Sequence, residues 1–406
     1  MEADAGLGGA AGGAADRAGP GVRDLLFLAH RVPFPPDRGD KIRSYHILRH
    51  LSRDWRIHLC TFGESEADLN PPPAFTDLLA SCRIVRRSKS MPLAAFQALA
   101  TGAPVSLTAF AHPEMAKAVR QVRRNGVAAA YIFSGQMAQY AGEEPTIMDM
   151  VDVDSAKFDA LAERAGVAKR LILRREARRL GAFERRVAAG MDATLFVSEA
   201  EAALFRAGGG EGRVMAVENG IDASVYDPAI VTPVAEPGPL IVFTGQMDYQ
   251  PNIDAVTHFA EAILPQVRKA HPTARFAIVG RAPTPGVRRL AGEDVIVTGE
   301  VPDTRIWLAA AAVCVAPLTL ARGIQNKVLE AMAMARPIVA SRAAAEGIDH
   351  GGTIAVAAGD LDLADKLIAA LKDPTTNSAA RARVLDRYDW SARLAPLDLL
   401  LKDIAA

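Results

Sequence analysis

The chain has 406 residues, half of them hydrophobic, and a formal net charge of zero. At roughly 100–200 residues per domain, this length makes two or three domains with a core each, and the balanced charge excludes a global pull toward nucleic acid. The three cysteines, Cys60, Cys82 and Cys314, have no metal-ligand spacing and leave one thiol over in any disulfide scheme, as expected of reduced thiols in a cytoplasmic protein.

The opening "MEADAGLGGAAGGAADRAGPGVRD" is rich in glycine and alanine. It lacks the basic and apolar regions of a secretory signal, and residues 1–22 read as a disordered tail. No later apolar run approaches the roughly 20 residues of a membrane span. A soluble protein is expected, with peripheral contact at a membrane surface left open.

From there, short apolar runs alternate with helical stretches. Strands are predicted at Asp24–Val32, Arg56–Phe62, Ala129–Ser134, Thr146–Val151 and Ala193–Ser198, then at Leu240–Gly245, Arg275–Gly280, Asp294–Gly299, Ala312–Pro317 and Pro337–Ser341. The runs are nearly continuous, as in strands of a parallel sheet covered on both faces, and the helices between them make βαβ units. The pattern restarts near Leu240, after the proline-rich "DASVYDPAIVTPVAEPGPL". This predicts an α/β chain of two Rossmann-like domains facing a cleft. The first covers 23–220, a linker covers 221–239, and the second domain covers 240–390.

Ligands of such sheets bind beyond the carboxyl ends of the strands, so polar residues just after a strand are the candidates. After the first strand comes "HRVPFPPDRGDKIRSYHILRHL". Its prolines forbid helix until Gly39–Asp40, where Asp40 is a plausible N-cap. His30, Gly39, Asp40, Lys41 and Arg43 form the first candidate group, the alternative being a surface helix start with scattered charges. After the strand at Leu240 comes "GQMDYQPNIDAV", in which Gly245 permits a close backbone approach, Asn252 or Asp254 can open the next helix, and Tyr249 and Asn252 are candidates for base or phosphate contacts. After "AVCVAPL" comes "ARGIQNKVLEAMA". Arg322, Gly323, Ile324, Gln325, Asn326 and Lys327 cluster where a helix should begin, and a helix start with added cations is an anion site. The alternative is a turn eased by Gly323 beside a solvated Lys327. No Ser/His/Asp or Cys/His arrangement is readable.

The stretch "AKRLILRREARRLGAFERR" should be helical, with eight basic residues and two acidic ones. It reads as a solvated, salt-bridged face or as a surface that docks on a membrane leaflet.

Seven segments together carry a family resemblance: "RVPFPPDRGDKIRSYHILRHLS", "MDMVDVDSAKF", "FVSEAEAALF", "VENGIDASVYDP", "FTGQMDYQPNIDAV", "GIQNKVLEAMAMARPIVAS" and "YDWSARLAPLDLLL". In order and spacing the chain resembles a GT-B glycosyltransferase of the GT4-like kind. More narrowly, it resembles the sugar transferases associated with PEP-CTERM/exosortase exopolysaccharide systems. The resemblance implies a retaining, hexosyltransferase-type enzyme without cofactor or metal. A nucleoside-diphosphate sugar would be held by the second domain and a glycan or lipid-linked acceptor by the first. The helix of residues 391–406 would cross back to the first domain, and the protein would be cytoplasmic or peripheral on the inner membrane. The resemblance assigns Glu330 to the ribose hydroxyls, the alternative being an ordinary helix glutamate. It departs from the family at Arg322, where many relatives carry a first, sugar-facing glutamate. The "DVD" of Asp152–Asp154 has the form of a metal-binding motif of a different, single-domain transferase fold; Asp152 or Asp154 is expected instead to face the cleft and orient an acceptor hydroxyl, the alternative being a helix N-cap. A nucleotide-sugar epimerase and a non-catalytic sugar-binding protein are the competing readings.

Overall fold

The structure, a computed structural model, describes residues 22–163, 165–321 and 324–405. The chain divides into two compact units: residues up to Asn219 together with those from Leu394, and Gly220–Arg393.

The first unit is built on β1 (Arg23–Ala29), β2 (Trp55–Gly63), β3 (Ser81–Arg86), β4 (Ala129–Phe133), β5 (Thr146–Val151), β6 (Ala193–Phe196) and β7 (Val214–Ala216). They form one sheet in the order β3-β2-β1-β4-β5-β6-β7, every pair parallel. The run "LLFLA" of β1 is wholly buried because Leu25–Ala29 have β2 on one side and β4 on the other, and helices cover the faces. The second unit carries β8 (Leu240–Thr244), β9 (Arg275–Val279), β10 (Val295–Gly299), β11 (Val313–Ala316), β12 (Ile338–Ser341) and β13 (Ala355–Ala357), in the order β10-β9-β8-β11-β12-β13 and again parallel. All ten strands expected from the apolar runs are present within a few residues. β3, β7 and β13 were not expected. Each is the edge of its sheet, and an edge strand needs no continuous apolar run.

The helices that matter below are α1 (Gly39–Leu51), α2 (Met91–Thr101), α3 (Asp154–Glu163), α4 (Val167–Gly190), α5 (Gln250–His258), α6 (Asn326–Ala333) and α7 (Trp390–Ile404). α7 begins in the second unit and from Leu394 belongs to the first. There Leu394, Leu397, Leu400 and Leu401 are buried, and Asp398 lies 2.8 Å from His50 of α1. The proline-rich segment after Gly220 is packed with the second unit: Ile221 bridges to Asp389, and the Arg381 guanidinium donates to the Tyr226 carbonyl at 2.7 Å. No helix among the described residues is long and apolar enough to cross a membrane.

Candidate functional site

The sheet of the second unit reverses its winding at β8, which has β9 on one side and β11 on the other. A crevice is expected beyond the carboxyl ends of strands at such a point. A cavity of about 540 Å³ is found there, lined from the loops after β8, β9 and β10 and from the start of α6. Two glycines make room for it. Gly280 has φ +150°, and a Cβ on it would fall on the Gly245 carbonyl oxygen. The Gly245 N–H donates to the Val279 carbonyl at 3.0 Å. The ends of β8 and β9 therefore meet backbone to backbone, closer than any side chain allows.

Lys327, in the first turn of α6, points into this space. Its Nζ is 2.6 Å from Asn252 Oδ1 and 4.3 Å above the Phe243 ring. Asn252 on α5 is 6% exposed, and its Nδ2 donates to the Gln246 carbonyl at 2.9 Å, so its oxygen is fixed toward the lysine. Burial pushes the Lys327 ammonium down to about 8, against the pull of Glu330 toward the charged form. Glu330 follows one turn later, with its carboxyl raised by burial although Tyr226, through a side-chain hydrogen bond, and Lys327 both hold it down. Gln325 precedes α6 without a side-chain cap bond. The site thus offers a helix start, a buried cation and, one turn on, a carboxyl group.

Of the residues expected on this side, Gly245, Tyr249, Asn252, Ile324, Gln325, Asn326, Lys327 and Glu330 all line the cavity. Arg322 and Gly323 lie outside the described residues. Thr244, Gln246, Arg281, Glu300 and Thr304 also line it and were not anticipated, nor was Tyr226 beside Glu330. Arg281 and Glu300 stand just after the strand signals "FAIVG" and "VIVTG", where the strand-end rule points; Tyr226 sat in what reads as linker.

The candidates of the first unit are arranged differently from expectation. Arg38, not Asp40, takes the N-cap position of α1. Asp40 lies in the first turn, with its carboxylate 3.3 Å from His30, 3.0 Å from Arg31 and 2.7 Å from Arg38. Burial raises its carboxyl, but the hydrogen bond from His30 and the guanidinium groups of Arg31 and Arg38 outweigh that and hold it well below the carboxylate range. His30 stacks on Phe133 and meets Phe110 edge-on, and its Nδ1 is buried without a partner. Lys41 is paired with Asp68 at 3.3 Å. Arg43 corrects the expectation outright: it is 1% exposed, 2.9 Å from Asp149, and donates to the Val217 carbonyl and to Asn219 Oδ1. Tyr131 donates to the same Asp149 at 2.7 Å. Arg43 is therefore a core cation that ties α1 to β5 and to the end of the unit, not a ligand contact. Gly39 opens α1 with nothing within 4 Å of where a Cβ would stand.

Asp152 and Asp154 are both bridged by Lys157, at 2.7 and 3.2 Å, so an ammonium already joins the two carboxylates. Asp154 is the first residue of α3. Val151 before them has φ +70°, rare for a β-branched residue, and turns the chain out of β5. Among the described residues no group of three or more His, Cys, Asp or Glu is placed to hold a metal ion. One linear array went unread in the sequence: Ser81 Oγ lies 2.8 Å from His58 Nδ1, and His58 Nε2 lies 2.7 Å from Asp24. Asp24 also binds Arg56, and the array braces the amino ends of β1, β2 and β3.

The family model described as glycosyl transferases group 1 matches residues 238–373, within the second unit. No curated protein matches. Among solved structures, Anabaena Alr3699/HepE in complex with UDP and glucose aligns over 94% of this chain and 99% of its own, at 15% identity and TM-score 0.56. A glycosyltransferase from Rickettsia africae ESF-5 aligns over 95% and 99%, at 11% identity and TM-score 0.59. A UDP-forming trehalose-phosphate synthase from Burkholderia xenovorans aligns over 95% and 100%, at 12% identity and TM-score 0.54. With the two parallel sheets, these likenesses show the two-domain GT-B fold.

Proposed function

We propose that this GT-B chain is a glycosyltransferase that moves a sugar from a nucleoside-diphosphate sugar to a glycan or lipid-linked acceptor. The observation that carries the reading is Lys327 and Glu330 one turn apart on α6, facing one cavity at the carboxyl edge of the second sheet. Breaking the glycosyl bond builds negative charge on the leaving diphosphate, and preorganised donors must meet it. Lys327, held by Asn252, and the start of α6 provide them. The Gly245–Gly280 contact lets the chain approach the phosphates closely. Glu330, steadied by Tyr226, accepts from the ribose hydroxyls. The matched family model covers this unit, and two of the similar structures are described with UDP or as UDP-forming, which supports uridine diphosphate as the first nucleotide to try.

The seven sequence segments support the finer reading: a GT4-like, retaining transfer in exopolysaccharide assembly of the PEP-CTERM kind, on the cytoplasmic side and without a metal. On this reading Asp152 and Asp154 orient the acceptor, and His30, Gly39 and Asp40 line its side of the reaction. Calorimetry with uridine diphosphate in excess EDTA tests the site directly. Binding by the wild-type chain is expected, with a loss of about 10- to 100-fold in Glu330→Ala, since a hydrogen bond to a charged group contributes roughly 1.5–3 kcal/mol. The reading fails if no nucleoside diphosphate binds, or if folded Glu330→Ala binds as tightly as wild type.

A further inference from the structure

The first unit exposes its apolar side chains unevenly. Sixteen large apolar side chains are exposed among the described residues, and eight of them lie on α2, α3 and α4. In α2 the burial is inverted. Ala94 and Ala98 face inward, fully buried, while Met91, Leu93, Phe96 and Leu99 face solvent, the last two at 70% exposure. Leu93, Phe96 and Leu99 recur at helical spacing, so they make one stripe and not a scatter. Small residues let α2 lie close to its unit while its bulk is turned outward.

α4 runs beside it. Arg175 Nη2 donates to the Ala98 carbonyl at 2.8 Å, and the Arg179 guanidinium is 3.9 Å from where a Cβ on Gly102 would stand. The two contacts share one sequence offset, so the helices run in the same sense. Leu171 and Ile172, exposed and one turn before Arg175, come level with the first half of α2. The exposed charges of this part of α4 are all positive: Lys169, Arg174, Arg178 and Arg179. Its single acid before Leu180, Glu176, is buried and accepts from the Val105 and Ser106 N–H groups at 2.9 and 3.0 Å. Exposed acids return on α3, at Asp159 and Glu163.

An apolar stripe rimmed by cations is complementary to an anionic lipid surface, with acyl chains for the stripe and phosphates for the rim. We propose that α2 and the first turns of α4 form the face by which this protein docks on an anionic bilayer, α2 entering the headgroup boundary and the α4 arginines meeting lipid phosphate. The proposal needs no donor chemistry, so it stands or falls apart from sugar transfer.

The test is sedimentation of the full chain with phosphatidylcholine vesicles, with and without phosphatidylglycerol, at low and high salt. Binding is expected only with phosphatidylglycerol, and it should weaken with salt. A basic side chain near such a surface contributes roughly fivefold, so Arg174→Gln, Arg178→Gln and Arg179→Gln together should lose about a hundredfold. Phe96→Glu with Leu99→Glu should lose binding even at low salt. Both positions are exposed, so unchanged melting curves are expected to accompany the loss. Phe96→Trp should shift its emission to the blue on phosphatidylglycerol vesicles. The proposal is overturned if wild type does not sediment with these vesicles, or if the double glutamate variant binds as wild type does. It is also overturned if the face proves to join two copies of the chain, seen as a wild-type dimer that the glutamate variant splits while neither binds vesicles.

Discussion

Lys327 is a cation whose charge depends on what lies beside it. Burial against Phe243 pushes its ammonium down to about 8, and a diphosphate at hydrogen-bond distance favours the charged form. Binding should then take up a proton at alkaline pH. Uridine diphosphate affinity should be nearly flat below about pH 8 and fall above it, by up to tenfold for each pH unit. Calorimetry in two buffers of different ionisation enthalpy reads the proton directly. Lys327→Ala should bind more weakly with no such pH dependence, and a wild-type affinity that stays level to about pH 10 refutes the assignment. The sequence shows Lys327 at a helix start, but not that Asn252 holds it, because that contact spans 75 residues. Arg43 shows the opposite failure. In the sequence it stands beside Lys41 among surface charges, and only the fold reveals Asp149 and Tyr131 waiting in the core.

At the level of elements, apolar runs read well where a strand is covered on both faces. β1, β5 and β8 are examples, and the edge strands β3, β7 and β13 escape the same reading. The meeting of β8 and β9 is the element-level feature on which the cavity depends. Gly280 has a φ that side chains rarely adopt, and its neighbour is the Gly245 carbonyl, which has no flexible end to yield. Gly280→Ala should force the two strand ends apart and cost about 1–3 kcal/mol, as overpacking does. It should also weaken nucleotide binding, whereas Gly39→Ala, with nothing near it, should do neither. Urea denaturation and calorimetry on the two variants check this, and equal stability of Gly280→Ala and wild type counts against it. The glycines were visible in "FTGQ" and "IVGR", but their contact needs two strands side by side.

For the whole molecule, the first unit is closed by residues that follow the second. Leu394, Leu397, Leu400 and Leu401 are buried there, each contributing about 1.5–3 kcal/mol on burial. Domains are stable by only about 5–15 kcal/mol. A chain ended after Arg393 should therefore keep a folded second unit and lose most of the stability of the first, seen in scanning calorimetry as one transition moved far down. An unchanged scan would show that the helix is dispensable. There is a consequence for how the protein is made. A ribosome adding about 5–20 residues each second needs roughly 10–35 s to travel from Asn219 to Leu394. Through that interval the sheet of the first unit is already synthesised while its closing helix does not yet exist. The unit made earlier is thus finished later, and a nascent chain stalled within the second unit is expected to leave the apolar bed of that helix uncovered.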